Sequence, residues 1–110
     1  MNDENELKKE VPVDLKNPIS YAEGSVVSKT LVNKKTGTLT LFAFDEGQEL
    51  SEHTAPFDAV VQILDGQAEL TIGGQKTKIQ TGELIIMPAN IPHAVHAPQK
   101  FKMLLTMIHT

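Results

Sequence analysis

The residues best suited to acid–base chemistry or to holding a transition metal near neutral pH are four histidines, His53, His93, His96 and His109. His53 stands in GQELSEHTAPFDAVVQILDG, residues 47–66, between an acidic stretch and an apolar run. Two residues on, where an H-x-H pair would place its second ligand, is Ala55; four further on is Ala59. His93 stands in MPANIPHAVH, residues 87–96. Catalytic zinc takes three protein ligands plus water, and non-haem iron oxygenases take two histidines and a carboxylate. His53 and His93 by themselves are therefore an incomplete set for a divalent ion such as Zn, Fe, Mn, Ni or Cu. Asp58 and His96 lie nearby, but the two-residue period of a strand turns Asp58 away from the position of Ala59 and His96 away from His93. His109 reads as a solvent-side histidine. Met87, Met103 and Met107 offer thioethers, which would favour Cu(I), although methionine in a strand is more often packing. With no cysteine there is no thiolate zinc site, disulfide or cysteine nucleophile.

Stiff backbone must present these side chains if they act together. Pro88 and Pro92 each fix their own φ and restrict the residue before them, and Asn90 between them tolerates positive φ. This loop has few conformations and delivers His93 to the start of a strand, as a preorganised site requires. The plainer reading is that the prolines only separate two strands. Around the loop the chain is a series of short strands with turn signals and no helix-length amphipathic pattern. SVVSKTLV (25–32) is β-branched and TLTLFAF (38–44) alternates. AVVQILDG (59–66) ends on Asp65-Gly66, a hairpin dipeptide. In QAELTIGGQKTKI (67–79), Ala68, Leu70 and Ile72 share one face and Gly73-Gly74 makes the turn. ELIIMP follows Gly82, and FKMLLTMI (101–108) is the last strand. Many short strands in 110 residues predict one all-β sandwich or barrel. Residues 1–16 carry five acids and three lysines with scarcely any apolar periodicity and are expected to be a flexible N-terminal arm. Residues 17–110 are the single domain.

Composition narrows the partners. The net charge is -4, with ten lysines and no arginine, which argues against nucleic-acid binding. No apolar run approaches the ~18 residues of a membrane span, and the charged start MNDENELKKE is not a secretory signal. The expected compartment is the cytoplasm, with no membrane partner. The acids before His53 (Asp45, Glu46, Glu49, Glu52) read as a solvated loop, or as a negative rim if that loop folds back.

With these spacings in hand, the sequence resembles the cupin family. Gly47, five residues, His53, Ala55, Ala59 and Gly66 fall in register with the first cupin motif, G-x5-H-x-H-x3-4-E-x6-G. Gly82, Pro88, Asn90, His93 and Ala97 fall in register with the second, G-x5-P-x-G-x2-H-x3-N. The resemblance covers residues 25 to 108 and implies a double-stranded β-helix, or jelly-roll barrel, with a pocket near His53 and His93. It also implies a homodimer, for which residues 25–32 are the candidate edge. In metal-binding cupins the first motif supplies three ligands and the second one; here Ala55 and Ala59 replace two of them, and Ala97 replaces the motif's asparagine.

Four functions stay open. The favoured one is a barrel holding a small molecule in an apolar pocket, with His53 and His93 as polar anchors. Its expected lining is His53, Ala55, Phe57, Ala59, Val61, His93, Val95 and Met103, with Ile63, Phe101, Leu105 and Met107 as further wall candidates. The alternative is a metal-dependent dioxygenase or isomerase using His53 and His93 plus an unidentified donor. Metal-free acid–base catalysis by either histidine, and a non-catalytic partner protein, are the other two.

Overall fold

A computed structural model describes residues 7–109. It contains eight strands: β1 (Val26–Lys34), β2 (Gly37–Phe44), β3 (Glu49–His53), β4 (Ala59–Ile72), β5 (Gln75–Gln80), β6 (Leu84–Met87), β7 (His93–His96) and β8 (Phe101–Ile108). All pairings are antiparallel. No helix long and apolar enough to cross a membrane occurs among the described residues.

One sheet runs β1-β2-β8-β4, with β6 on the far side of β4. The other is built on the second half of β4, with β5 on one side and β7 then β3 on the other. The two sheets curl over one another as an antiparallel double-stranded β-helix. The 14-residue β4 belongs to both. Residues 59–66 pair with β8 and residues 67–72 with β5 and β7. Asp65-Gly66, expected to turn a hairpin, instead bends this single strand from one sheet into the other. The register against β8 shifts between Ile63 and Asp65, as at a bulge. Gly66 has φ +79°, and a Cβ there would lie 2.1 Å from the Lys100 carbonyl oxygen. The dipeptide that favours hairpins thus also suits a bulge, because both need positive φ. Gly73-Gly74 turns as expected, with φ of 56° and 83°, as a type I′ hairpin requires.

Between the sheets lies a core of alternating strand residues, including Phe44, Val61, Ile63, Leu70, Val95 and Phe101. The Phe44 and Phe101 rings stack at 4.5 Å. A second cluster forms on the outer face of the first sheet from Leu31, Leu41, Ala43 and Leu104, covered by Ile19. β2 consequently buries apolar residues on both faces, Phe42 and Phe44 on one and Leu39, Leu41 and Ala43 on the other. Of the segment expected as a flexible arm, residues 1–6 lie outside the described residues. Leu7 and Leu15 pack on the second cluster, and the Leu7 N–H donates to the Leu31 carbonyl at 2.9 Å.

Candidate functional site

β3 and β7 carry the two histidines. They are neighbours in the second sheet, and His53 pairs directly with His93. His93 begins β7, as the proline-bounded loop implied, and Asn90 adopts φ 63°. That loop is tied at three points. The Asn90 N–H donates to the Ala55 carbonyl (2.7 Å), the Gly73 N–H to the Pro92 carbonyl (2.9 Å) and the Ala89 N–H to Asp58 Oδ1 (2.8 Å). The first and third ties run to the segment just after His53, so both histidines stand on one braced unit.

The two rings meet edge to face, with centroids 4.4 Å apart and planes at 73°. His53 Nε2 and His93 Nε2 are 3.1 Å apart. Each Nδ1 faces a backbone carbonyl two residues back, that of Ser51 at 2.7 Å from His53 and that of Ile91 at 3.2 Å from His93. His93 is buried at 4% exposure, whereas His53 is exposed. Burial is the largest influence on His93 and lowers its pKa; the neighbouring His53 lowers it further, and the Ile91 carbonyl opposes both.

The pair lines one end of a cavity of about 170 Å³ between the sheets. Ala55, Ala59, Val95 and Met103 line it together with Leu105 and Met107, and Met87, which the sequence offered only as a thioether, lies on the same wall. Leu50 lines it as well. Sequence reasoning missed Leu50, because it lies three positions before His53 and a regular strand would turn the two to opposite faces. A register shift in β3 between Leu50 and His53 breaks that parity. Two of the expected lining residues lie elsewhere. Val61 is fully buried in the core packing, and Phe57 stacks on His109 at 4.5 Å beside a separate surface recess. Phe57 precedes Asp58, whose bond to Ala89 fixes the loop with the ring outside the barrel.

The other titratable groups face away from the cavity. His96 is on the outer face of β7, with Nδ1 3.9 Å from Glu49 Oε2. Asp45 accepts from the N–H groups of Gly24 (2.7 Å) and Glu46 (2.9 Å), which hold its carboxyl below its ordinary pKa. None of Asp45, Glu46, Glu49 and Glu52 lines the cavity. Asp58 is committed to Ala89, and His109 Nδ1 lies 3.2 Å from the Lys35 carbonyl. Among the described residues no group of three His, Cys, Asp or Glu side chains could share an ion. His53 and His93 supply two nitrogens, while Ala55 and Ala59 supply nothing. These residues do not fit a tightly held divalent cation.

A family model described as a cupin domain matches residues 40–109. The chain belongs to the cupin family, whose double-stranded β-helix it adopts. It is similar to a conserved protein of unknown function from Streptococcus pyogenes, with 36% identity and a TM-score of 0.91 over 100% of this chain and 96% of that one. A cupin superfamily protein from Desulfitobacterium hafniense is 28% identical, with a TM-score of 0.89 over 100% of both chains. An uncharacterized protein of Streptomyces coelicolor is 26% identical over 65 residues, or 59% of this chain. The match spans 62% of that curated relative's length.

Proposed function

We propose that this cupin holds a small, mostly apolar molecule in the cavity between its sheets, with the His53–His93 pair as the polar end of the site. The observation that carries this reading is the composition of the cavity wall. Alanine, valine, leucine and methionine form it, and the side-chain polar groups on it are the two imidazoles. Ligand sites commonly have this character, with apolar walls and a few fixed polar groups that set orientation. Its volume of about 170 Å³ compares with the ~150 Å³ engineered apolar cavity that takes up benzene. The expected ligand body is of that size. Ala55 and Ala59 make the room, and exposed His53 marks the open side.

The test is a titration of the isotopically labelled full chain with toluene, followed by amide and methyl NMR. Saturable shifts confined to Leu50, Ala55, Ala59, Val95 and Met103 are expected. Shifts scattered over the surface, or none, would refute an accommodating cavity. The reading extends to a homodimer that joins two copies along β1, which is the outermost strand of its sheet.

A further inference from the structure

The histidine pair has three polar contacts and, when both rings are neutral, only two hydrogens to serve them. The contacts are His53 Nδ1 to the Ser51 carbonyl at 2.7 Å, His93 Nε2 to His53 Nε2 at 3.1 Å, and His93 Nδ1 to the Ile91 carbonyl at 3.2 Å. Each needs one hydrogen, because carbonyl oxygens and bare ring nitrogens only accept. One hydrogen goes to the shortest contact, on His53 Nδ1, and the other lies between the rings, where two bare nitrogens 3.1 Å apart would repel each other. His53 then carries its hydrogen on Nδ1 and presents a bare Nε2, while His93 carries its hydrogen on Nε2. The polar end of the cavity is thus one acceptor and one donor, side by side.

We propose that the pocket selects a ligand whose head carries one donor and one acceptor on atoms joined through a single carbon, a primary carboxamide or a carboxylic acid on a body about the size of a benzene ring. The inference rests on the small-molecule reading above. Such a head replaces the ring-to-ring hydrogen bond with two, donating to His53 Nε2 and accepting from His93 Nε2–H. Each of its two polar atoms gains a partner where the remaining wall offers no side-chain polar group. An ammonium fits poorly. Two hydrogens on one tetrahedral nitrogen, each in a bond of ~2.9 Å, would need acceptors about 4.7 Å apart, against the observed 3.1 Å. An ester or ether accepts only, and an aniline donates only, so each leaves one imidazole site unpaired.

The charged groups around the pair do not alter this pattern. On β3, Glu49 faces His96 across the outer surface, and Glu52 is exposed. Asp58, in the loop after β3, is held by Ala89, and the cavity residues of β4, β6 and β8 are alanine, methionine and leucine. The carboxamide and acid forms are told apart by pH. Benzamide should bind equally at pH 7 and 8. Benzoate must bring one proton to present a donor, so its affinity should fall about tenfold between those values.

The experiment is an NMR titration of the full chain at pH 7 with benzamide, toluene, methyl benzoate, aniline and phenol. Benzamide should bind at least tenfold more tightly than the other four, the loss expected for a buried polar group left unpaired. In His53→Leu, which keeps an apolar side chain at the mouth, the benzamide affinity should drop to that of toluene. Aniline equal to benzamide would mean that both Nε2 atoms accept, and would overturn the donor–acceptor assignment; phenol equal to benzamide would mean that one oxygen serves both nitrogens, and would overturn the two-atom head. Equal binding of all five would overturn it too while leaving the cavity reading intact. No binding by any of them, toluene included, would overturn both.

Discussion

Refilling the two alanines tests whether His53 and His93 still stand where a metal-binding cupin would hold its ion. The perturbation is Ala55→His together with Ala59→Glu, the residue types that the family motif has at these positions. The geometry of the pair allows it. Nitrogens 3.1 Å apart, each about 2.0–2.1 Å from a shared ion, subtend roughly 100° at that ion. This is close to the tetrahedral angle zinc prefers. The substitutions add nine heavy atoms, enough to fill a cavity of about 170 Å³. Ala59 is 2% exposed, so an ionised glutamate there, without an ion, would destabilise the fold by several kcal/mol. The double variant should therefore melt well below the parent when metal-free and recover with zinc. At a hundredfold excess over its dissociation constant, an ion adds about 2.7 kcal/mol. In a domain of this size that raises Tm by about 10–20 °C. The parent should move by less than about 2 °C under the same conditions. Differential scanning calorimetry with and without zinc reads both effects, and a toluene titration should show the refilled cavity closed. A folded double variant that gains no stability from zinc would refute the equivalence of these positions with a metal site.

Three further outcomes follow from the geometry. Gly66→Ala should destabilise the chain by about 3 kcal/mol or more, combining the positive-φ penalty with a forced shift of the Lys100 carbonyl; a urea midpoint within error of the parent would contradict the bulge. His93 has a folded pKa below its ordinary value, so the unfolded chain binds the proton more readily. Its contribution to stability is whole above pH ~6.5 and is lost as pH falls through the lower folded pKa; Tm measured from pH 8 to 5 should fall on the acid side, and less so in His93→Phe. Sedimentation velocity at micromolar concentration should show a dimer, and Ser28→Pro on β1, where proline blocks strand pairing, should shift it toward monomer; a monomeric parent would defeat the β1 pairing.

Much of the barrel could be read from the chain because strand alternation is a local signal. Ala68, Leu70 and Ile72 face inward around the Gly73-Gly74 turn as their spacing required, and Pro88, Asn90 and Pro92 deliver His93 to a strand start. Two misreadings share one cause, an irregularity in the strand ladder. The bulge at Asp65-Gly66 turned an expected hairpin into one strand shared by two sheets. The register shift between Leu50 and His53 places on one cavity two side chains that a regular strand would separate, so Leu50 went unnamed. Phe57 was misplaced for a different reason. Its position depends on the long-range bond from Ala89 to Asp58 and on stacking with His109, and no local pattern encodes either. The outer apolar cluster under Leu7 and Leu15 was equally silent, because isolated leucines in a charged segment have no period.

The bracing of the histidine loop bears on how tightly so small a cavity can bind. A ligand the size of a benzene ring has few atoms with which to offset its lost translational and rotational freedom, and any ordering of the protein adds to that cost. Here the ordering is already present. Asn90 is bonded to Ala55, Ala89 to Asp58, and each imidazole to the carbonyl two residues before it or to its partner ring. The bonds from Asn90 and Ala89 join the His93 loop to the segment after His53, so neither ring can move away without breaking contacts made by the other's support. Loosening one tie should therefore weaken ligand binding more than it weakens the fold. Asp58→Ala, which removes the acceptor for the Ala89 N–H at an exposed position, separates the two effects. A loss of ligand affinity at nearly constant Tm would show that the site depends on preorganisation, whereas equal losses would show only that the loop supports the barrel.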